Sequence, residues 1–348
     1  MTDKKIHQLF AALTPTTEQK KRMYQNIFVQ SQVDKNRDSK CTPAQRRYRF
    51  AVPVALLLIC FTTTAFAATY MGLEEAFFRF LNPVDHKQTQ YLSSGAGTVG
   101  KQITNENGTL EIRQVIGDRN LTYLLLDFTA PDGTILDAAR YRFEHVRISS
   151  DQPFYSTGFT VVDDGNTNDN TIRLIMCILT EDSLAGQTVA FTFEDLQAAD
   201  PLPGIFETVI PGMWETEATL AFQDFSSLYQ VDQEVNMFGY QATVKTIAIS
   251  PISISLQVES EALKEISEAA RGLEDIGEHE YLDRYPVTIN FADGTSSTTS
   301  IFTGLTVSDH LRNQLLTIKT FENAINDKEI ASVVFFHTKI PIADTSAQ

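Results

Sequence analysis

The chain opens with apolar residues at helical spacing. Ile6, Leu9, Phe10 and Leu13 fall at i, i+3, i+4 and i+7, which predicts a short amphipathic helix. Thr14 and Pro15 break it and can open a second helix as N-cap and first helical residue. That second helix runs to about Gln30, with Met23, Ile27, Tyr24 and Phe28 on its apolar side. Residues 31–45 are polar and charged, as expected of a linker. At 50–70 the pattern becomes continuous: FAVPVALLLICFTTTAFAATY carries no charge. Residues 72–81 then return to helical spacing, with Phe77, Phe78, Phe80 and Leu81 as apolar positions and Asn82-Pro83 as a stop. They are expected to pack on the β-domain that follows, because their polar face is acidic and unsuited to a bilayer surface.

From about residue 98 the period is two. Segments 110–115, 121–128, 141–148, 159–162, 172–179 and 188–193 read as strands, separated by turn signals such as Asn107-Gly108, Asp132-Gly133 and Ala185-Gly186. Asp200-Pro201 and Pro203-Gly204 mark a domain boundary. Beyond it 217–222, 234–237, 241–250, 252–258, 285–291, 297–302 and 330–340 again read as strands, and Asp293-Gly294 predicts a hairpin. One helix interrupts them, from Ser260 as N-cap to Arg271, stopped by Gly272.

Charge gives the uncharged run its meaning. The net charge of the 348 residues is -16. Residues 1–49 carry +7, from eleven Lys/Arg and four acids, and the rest of the chain carries -23. A helix over 50–70 would span ~31 Å at ~1.5 Å per residue, against a hydrocarbon core of ~30 Å. Ala65-Phe66-Ala67 resembles a signal-peptidase site, but a signal sequence would begin much nearer the N-terminus. The expectation is a retained anchor, with Arg46, Arg47 and Arg49 keeping the N-terminus in the cytosol and the acidic bulk outside.

The expected fold class is therefore mainly β, with a single transmembrane helix, a short helical cytosolic arm and two extracytoplasmic β-sandwich-like domains. The units are a basic arm at 1–49, the span at 50–70 and a juxtamembrane helix and linker at 71–97. A first β-domain follows at 98–200, then a second, immunoglobulin-like with a helical insertion, at 205–348.

Candidate chemistry is sparse. Three cysteines exclude a disulfide scaffold and a four-Cys zinc site, and Cys177, alone in the outer part, reads as a structural thiol in an apolar strand. The acidic balance argues against nucleic acid as a partner. Gly95 to Lys101 matches GxGxxG, but Gln102 replaces the metal-binding hydroxyl and strand-like sequence follows, so it reads as a linker. Asp163, Asp164 and Asp169 gather carboxylates that suit an Asx-rich turn; a calcium loop would need a glutamate at its twelfth place. The six histidines are scattered, and no GxSxG elbow occurs. No catalytic residue, metal site or cofactor is expected.

The order of several segments resembles a known family. LTPTTEQKKRM (13–23), a span, EEAFFRFLNP (74–83), VIGD (115–118), APDGTILD (130–137) and YRFEHV (141–146) resemble the bacterial envelope family called domain of unknown function 4179. GYQATVKTIAISPISI (239–254) resembles the immunoglobulin-like domain that follows it. The resemblance implies a Gram-positive source and the architecture of a membrane-bound anti-sigma factor, and it supplies no catalytic residues. The function expected is a single-pass regulator whose arm binds a sigma factor through Ile6, Leu9, Phe10, Leu13, Met23 and Ile27, with the lipid bilayer as its second partner. The alternative is an extracytoplasmic binding or adhesion module with a purely topogenic anchor. No outer ligand is named by the residues.

Overall fold

The computed structural model describes residues 72–149, 155–162, 169–199, 205–271, 286–300, 305–309, 313–326 and 329–342. All belong to the unit Phe66–Gln348. The arm, the apolar run at 50–70 and most of the acidic loop at 163–170 lie outside these residues. Among the described residues no helix is long and apolar enough to cross a membrane.

The described chain is mainly β, and its strand pairs are antiparallel. Two helices come first, α1 (Glu75–Leu81) and α2 (His86–Gly95). Eight strands follow: β1 (Gly97–Asn105), β2 (Gly108–Gly117), β3 (Leu121–Thr129), β4 (Arg140–Ser149), β5 (Tyr155–Val162), β6 (Thr171–Thr180), β7 (Thr188–Ala199) and β8 (Glu207–Thr219). They form one sheet in the order β1-β2-β3-β6-β5 and another in the order β4-β7-β8. Both sheets contribute to one core, where Trp214 of β8 meets Phe128 of β3 and Phe143 of β4 edge-on, with centroids 5.1 and 5.9 Å away. The Trp214 indole N–H donates to the Gly108 carbonyl at 3.2 Å, so the buried ring keeps a polar partner.

The expected boundary at 200–205 needs correction. β7 and β8 pair antiparallel, so the Pro/Gly-rich segment between them joins neighbouring strands of one sheet. Ile210, Trp214 and Ala218 alternate into the first core, and Leu220 and Phe222 extend it. The first β-unit therefore continues to about residue 222.

The second unit begins with β9 (Ser227–Met237), β10 (Tyr240–Ile249) and β11 (Ser253–Glu259), followed by α3 (Leu263–Arg271). Then come β12 (Pro286–Phe291), β13 (Ser296–Ser300), β14 (Leu305–Asp309), β15 (Gln314–Thr320), β16 (Ile330–Phe335) and β17 (Thr338–Pro341). Its sheets run β14-β15-β11-β10-β9 and β13-β12-β16-β17. Val244, Leu256 and Val258 of one meet Val287, Ile289 and Phe335 of the other, and α3 adds Leu263 and Ile266. Ser260 lies just ahead of α3; its hydroxyl accepts from the Ala262 N–H at 3.1 Å and donates to the Gln241 carbonyl at 2.6 Å. The predicted hairpin is present: β12 pairs with β13, and Asp293 caps the turn by accepting from the Thr295 N–H at 2.8 Å.

β3 shows why its sequence, LTYLLLDFT, does not alternate. Leu124, Leu126 and Phe128 enter the sandwich core. Leu121, Tyr123 and Leu125 on the opposite face lie beneath α1 and α2, with Phe77, Leu81 and Leu92. A strand covered on both faces needs apolar residues at successive positions. Ile252 and Ala324 of the second unit complete this outer patch.

Candidate functional site

The site with the most organised chemistry is the joint between the two β-units, built by two turns. Gly117 ends β2 where a Cβ would come within 2.6 Å of the Leu121 carbonyl oxygen, so the turn closes only around glycine. Asp118 follows, and its Oδ1 accepts from the N–H groups of Asn120 (3.0 Å) and Leu121 (2.8 Å). Between β10 and β11, Ser250 does the equivalent: its hydroxyl oxygen accepts from the N–H groups of Ile252 and Ser253, each at 3.0 Å.

With its oxygen so engaged, Ser250 directs its proton to Asp118 Oδ2 at 2.5 Å, and Ser253 donates to the same oxygen at 2.6 Å. Asn120 adds a second link. Its Nδ2 donates to the carbonyls of Thr180 (3.1 Å) and Glu181 (2.7 Å), while its Oδ1 accepts from Ser255 at 2.8 Å. Asp118, Asn120, Ser250, Ser253 and Ser255 are all buried. Burial pushes the Asp118 carboxyl above its usual range, and the four donated hydrogen bonds pull against that rise.

The α1–α2 hairpin is fastened across the same joint. Phe77 is fully buried, and Phe80 meets Tyr123 edge-on at 5.1 Å, so the hairpin packs on the first β-unit as its acidic polar face suggested. The Arg113 Nε donates to both Glu74 carboxylate oxygens at 3.0 Å, and its Nη1 donates to Asp127 Oδ2 at 3.0 Å. Arg173 donates to Asp127 from the other side at 2.6 and 2.8 Å. The hydrogen bond to Glu74 raises Arg113 further above its usual value.

Toward the second unit, Asn82 Nδ2 donates to Asn323 Oδ1 at 2.6 Å and the Ala324 N–H donates to the Leu81 carbonyl at 3.0 Å. Asn326 Nδ2 donates to Asp85 Oδ2 at 2.9 Å, and Lys87 pairs with Glu329 at 3.1 Å. The bond from Asn326, helped by the Gln88 N–H, holds the Asp85 carboxyl below its usual value.

Beside this clasp of Asp118 with Ser250 and Ser253 the two units leave an open cleft of about 300 Å³. Arg119 and Asp182 stand at its first-unit rim, 3.5 Å apart. The outer face of β9, β10, β11 and β15 forms its floor through Gln230, Thr246, Gln257 and Gln314.

The residues expected to hold a cytosolic partner, Ile6, Leu9, Phe10, Leu13, Met23 and Ile27, lie outside the described residues, as do Asp163 and Asp164. Asp169 accepts from the Thr171 N–H at 3.0 Å, and its carbonyl accepts from Leu136. Among the described residues no group of three or more His, Cys, Asp or Glu could hold a metal ion. The Gly95–Lys101 segment has helix α2 before it and strand β1 after it, the reverse of a phosphate-binding loop. The part expected as linker is edge strand β1, paired to β2. Cys177 is half-buried at the margin of the hairpin's apolar patch, where burial pushes its thiol up to about 12.

Residue-by-residue reading did not find the clasp. VIGD and SPIS could each be read as a turn, but their meeting depends on strand pairings that bring positions 132 apart in sequence together.

No family model matches this chain, and no curated protein matches it. It is similar to one solved structure, a conserved domain protein from Bacillus anthracis, at 16% identity over 75% of this chain and 83% of that one, with a TM-score of 0.49.

Proposed function

We propose that the chain is a single-pass membrane-anchored regulator of anti-sigma type. The arm at 1–49 binds a sigma factor in the cytosol, the run at 50–70 crosses the bilayer, and the β-units sense outside the cell. The resemblance of VIGD, APDGTILD and SPISI to their family counterparts belongs to this reading. One structural observation supports it most. The hairpin that begins just after residue 70 is bonded to both β-units, through Arg113 on one side and through Asn323 and Asn326 on the other. A change in the angle between the units must then reposition α1, the element next in sequence to the span. A purely topogenic anchor has no need of such a connection, and a flexible linker would serve it better.

The arm supplies the cytosolic half. Neither of the two short helices expected there could bury its apolar stripe alone, because helices of that length are marginal in water without a packing partner. Burying Leu9 and Phe10 would contribute ~1.5–3 kcal/mol each before the entropic costs of association. The test is a pulldown of the full chain from membranes. Leu9→Asp with Phe10→Asp should release a sigma factor that the unaltered chain retains, while both remain in the membrane fraction. Equal recovery of the same partners by both proteins would leave the anchored binding module as the better reading.

A further inference from the structure

The floor of the cleft carries a pattern that side-chain recognition of a saccharide would use. Cross-strand register places Gln230, Thr246 and Gln257 side by side on β9, β10 and β11, because Thr246 pairs with Gln230 on one side and Gln257 on the other. Next to this polar row runs a second one, Leu228, Ala248 and Ser255, set by the pairing of Ala248 with both neighbours. At ~4.8 Å between strands each row is roughly 10 Å long, about the length of a disaccharide.

The polar row is only partly used by the protein. Gln257 Oε1 accepts from Thr246 Oγ1 at 3.3 Å, which leaves the Gln257 amide N–H groups to point elsewhere. Gln314 donates to Glu259 at 3.0 Å and keeps its carbonyl oxygen available. The exposed Gln230 amide has no hydrogen-bond partner among the described residues. Side-chain amides both donate and accept, which matches hydroxyl groups that do the same. In the neighbouring row Ala248 and Ser255 are buried, and Leu228, 42% exposed, offers the apolar surface against which the C–H face of a pyranose ring can lie. The rim carries Glu181 and Asp182 against Arg119, a balance that disfavours an anion.

We propose that this cleft binds an uncharged oligosaccharide, laid across β9, β10 and β11 with its hydroxyls on the glutamine row and a ring face on Leu228. Such a ligand would contact the second unit through the sheet and the first through Arg119, and so would bear on the joint itself. The inference deepens the sensing role above and rests on it for its biological meaning. Its test does not depend on the arm, so either can fail while the other stands.

The experiment is saturation-transfer NMR on the full-length purified protein with three probes, the tetrasaccharides of N-acetylglucosamine, β-1,4-glucose and α-1,4-glucose, and a penta-alanine peptide as the fourth arm. The expected result is transfer to ring protons of at least one saccharide. A Gln230→Ala, Gln257→Ala double variant should weaken that binding about tenfold or more, and Thr246→Val should weaken it in the same direction. All three residues lie on the cleft floor, so melting of the variants should match the unaltered protein. Absence of transfer to every saccharide, transfer to the peptide alone, or equal affinity in the double variant overturns the proposal.

Discussion

The Ser253 hydroxyl donates to Asp118 Oδ2 across 2.6 Å, although 135 positions separate the two residues. Ser250 donates to the same oxygen, and two backbone N–H groups occupy the other. Asp118→Ala would strand four buried donors, each costing about 1–3 kcal/mol and not fully additive. We expect the two β-units to lose their coupling. Denaturant unfolding of the variant should separate into two transitions where the unaltered protein gives one. A single transition with an unchanged midpoint would show that the clasp does not hold the units together.

Asp118 and Asp85 should respond to acid in opposite directions. Burial raises the Asp118 carboxyl above the ordinary 3.8, so between 3.8 and its raised value the folded protein holds a proton that the unfolded chain has lost. Its contribution to stability is full below 3.8 and falls as pH rises through that window. Asp85 is lowered from 3.8, chiefly by Asn326. Its contribution is present above 3.8 and is lost as pH falls through the depressed value. In Tm measured against pH, Asp118→Asn should flatten the slope on the alkaline side of 3.8 and Asp85→Asn the slope on the acid side. The same profile in both variants would contradict these assignments.

Phe77 anchors α1 to the outer face of β3. Phe77→Ala should cost about 3–5 kcal/mol, the usual range for removing a buried aromatic ring. Hydrogen exchange should show the loss in α1, α2 and the β3 face beneath them, with β12 and β16 unchanged. Undiminished protection of α1 would mean that the ion pairs of Glu74 and Arg113 alone hold the helix.

Trp214, the chain's only tryptophan, lies in the first core with no exposed surface. Its fluorescence should therefore resist acrylamide in the folded protein and report the first unit alone during unfolding. In Asp118→Ala the fluorescence transition and the far-ultraviolet transition should separate. Strong quenching in the native state would contradict the burial of the indole.

Periodicity made most strands legible, because each segment had its apolar residues at the positions that enter a core. Leu110 and Ile112 of β2 and Val287 and Ile289 of β12 are examples. Among the described elements β1, α2, β14 and β15 escaped it. β1 is an edge strand rich in polar residues and glycine, so little apolar pattern marks it. Helix α2 has no strong apolar stripe, but its cap was readable: Asp85 accepts from the Gln88 N–H at 2.9 Å, and the Gln88 side chain accepts from the Val84 N–H at 2.8 Å. The error at residue 200 has a different cause. Proline and glycine announce a chain reversal without saying whether the next strand remains in the sheet, and β8 does remain. The clasp was illegible for the same reason, since partners of Asp118 are assigned by topology rather than by neighbours in sequence.

Asp118 also bears on the order in which the molecule can be made. A chain growing from its N-terminus completes β2 and β3 well before Ser250 and Ser253 exist. During that interval the carboxyl has only its own turn to bond to and remains in water, as does the apolar surface that Ile252 later covers. The joint is therefore a late event in biogenesis, in which a solvated acid is closed over by two hydroxyls. A chain halted before residue 250 would present that unfinished face to whatever chaperone or protease meets it first.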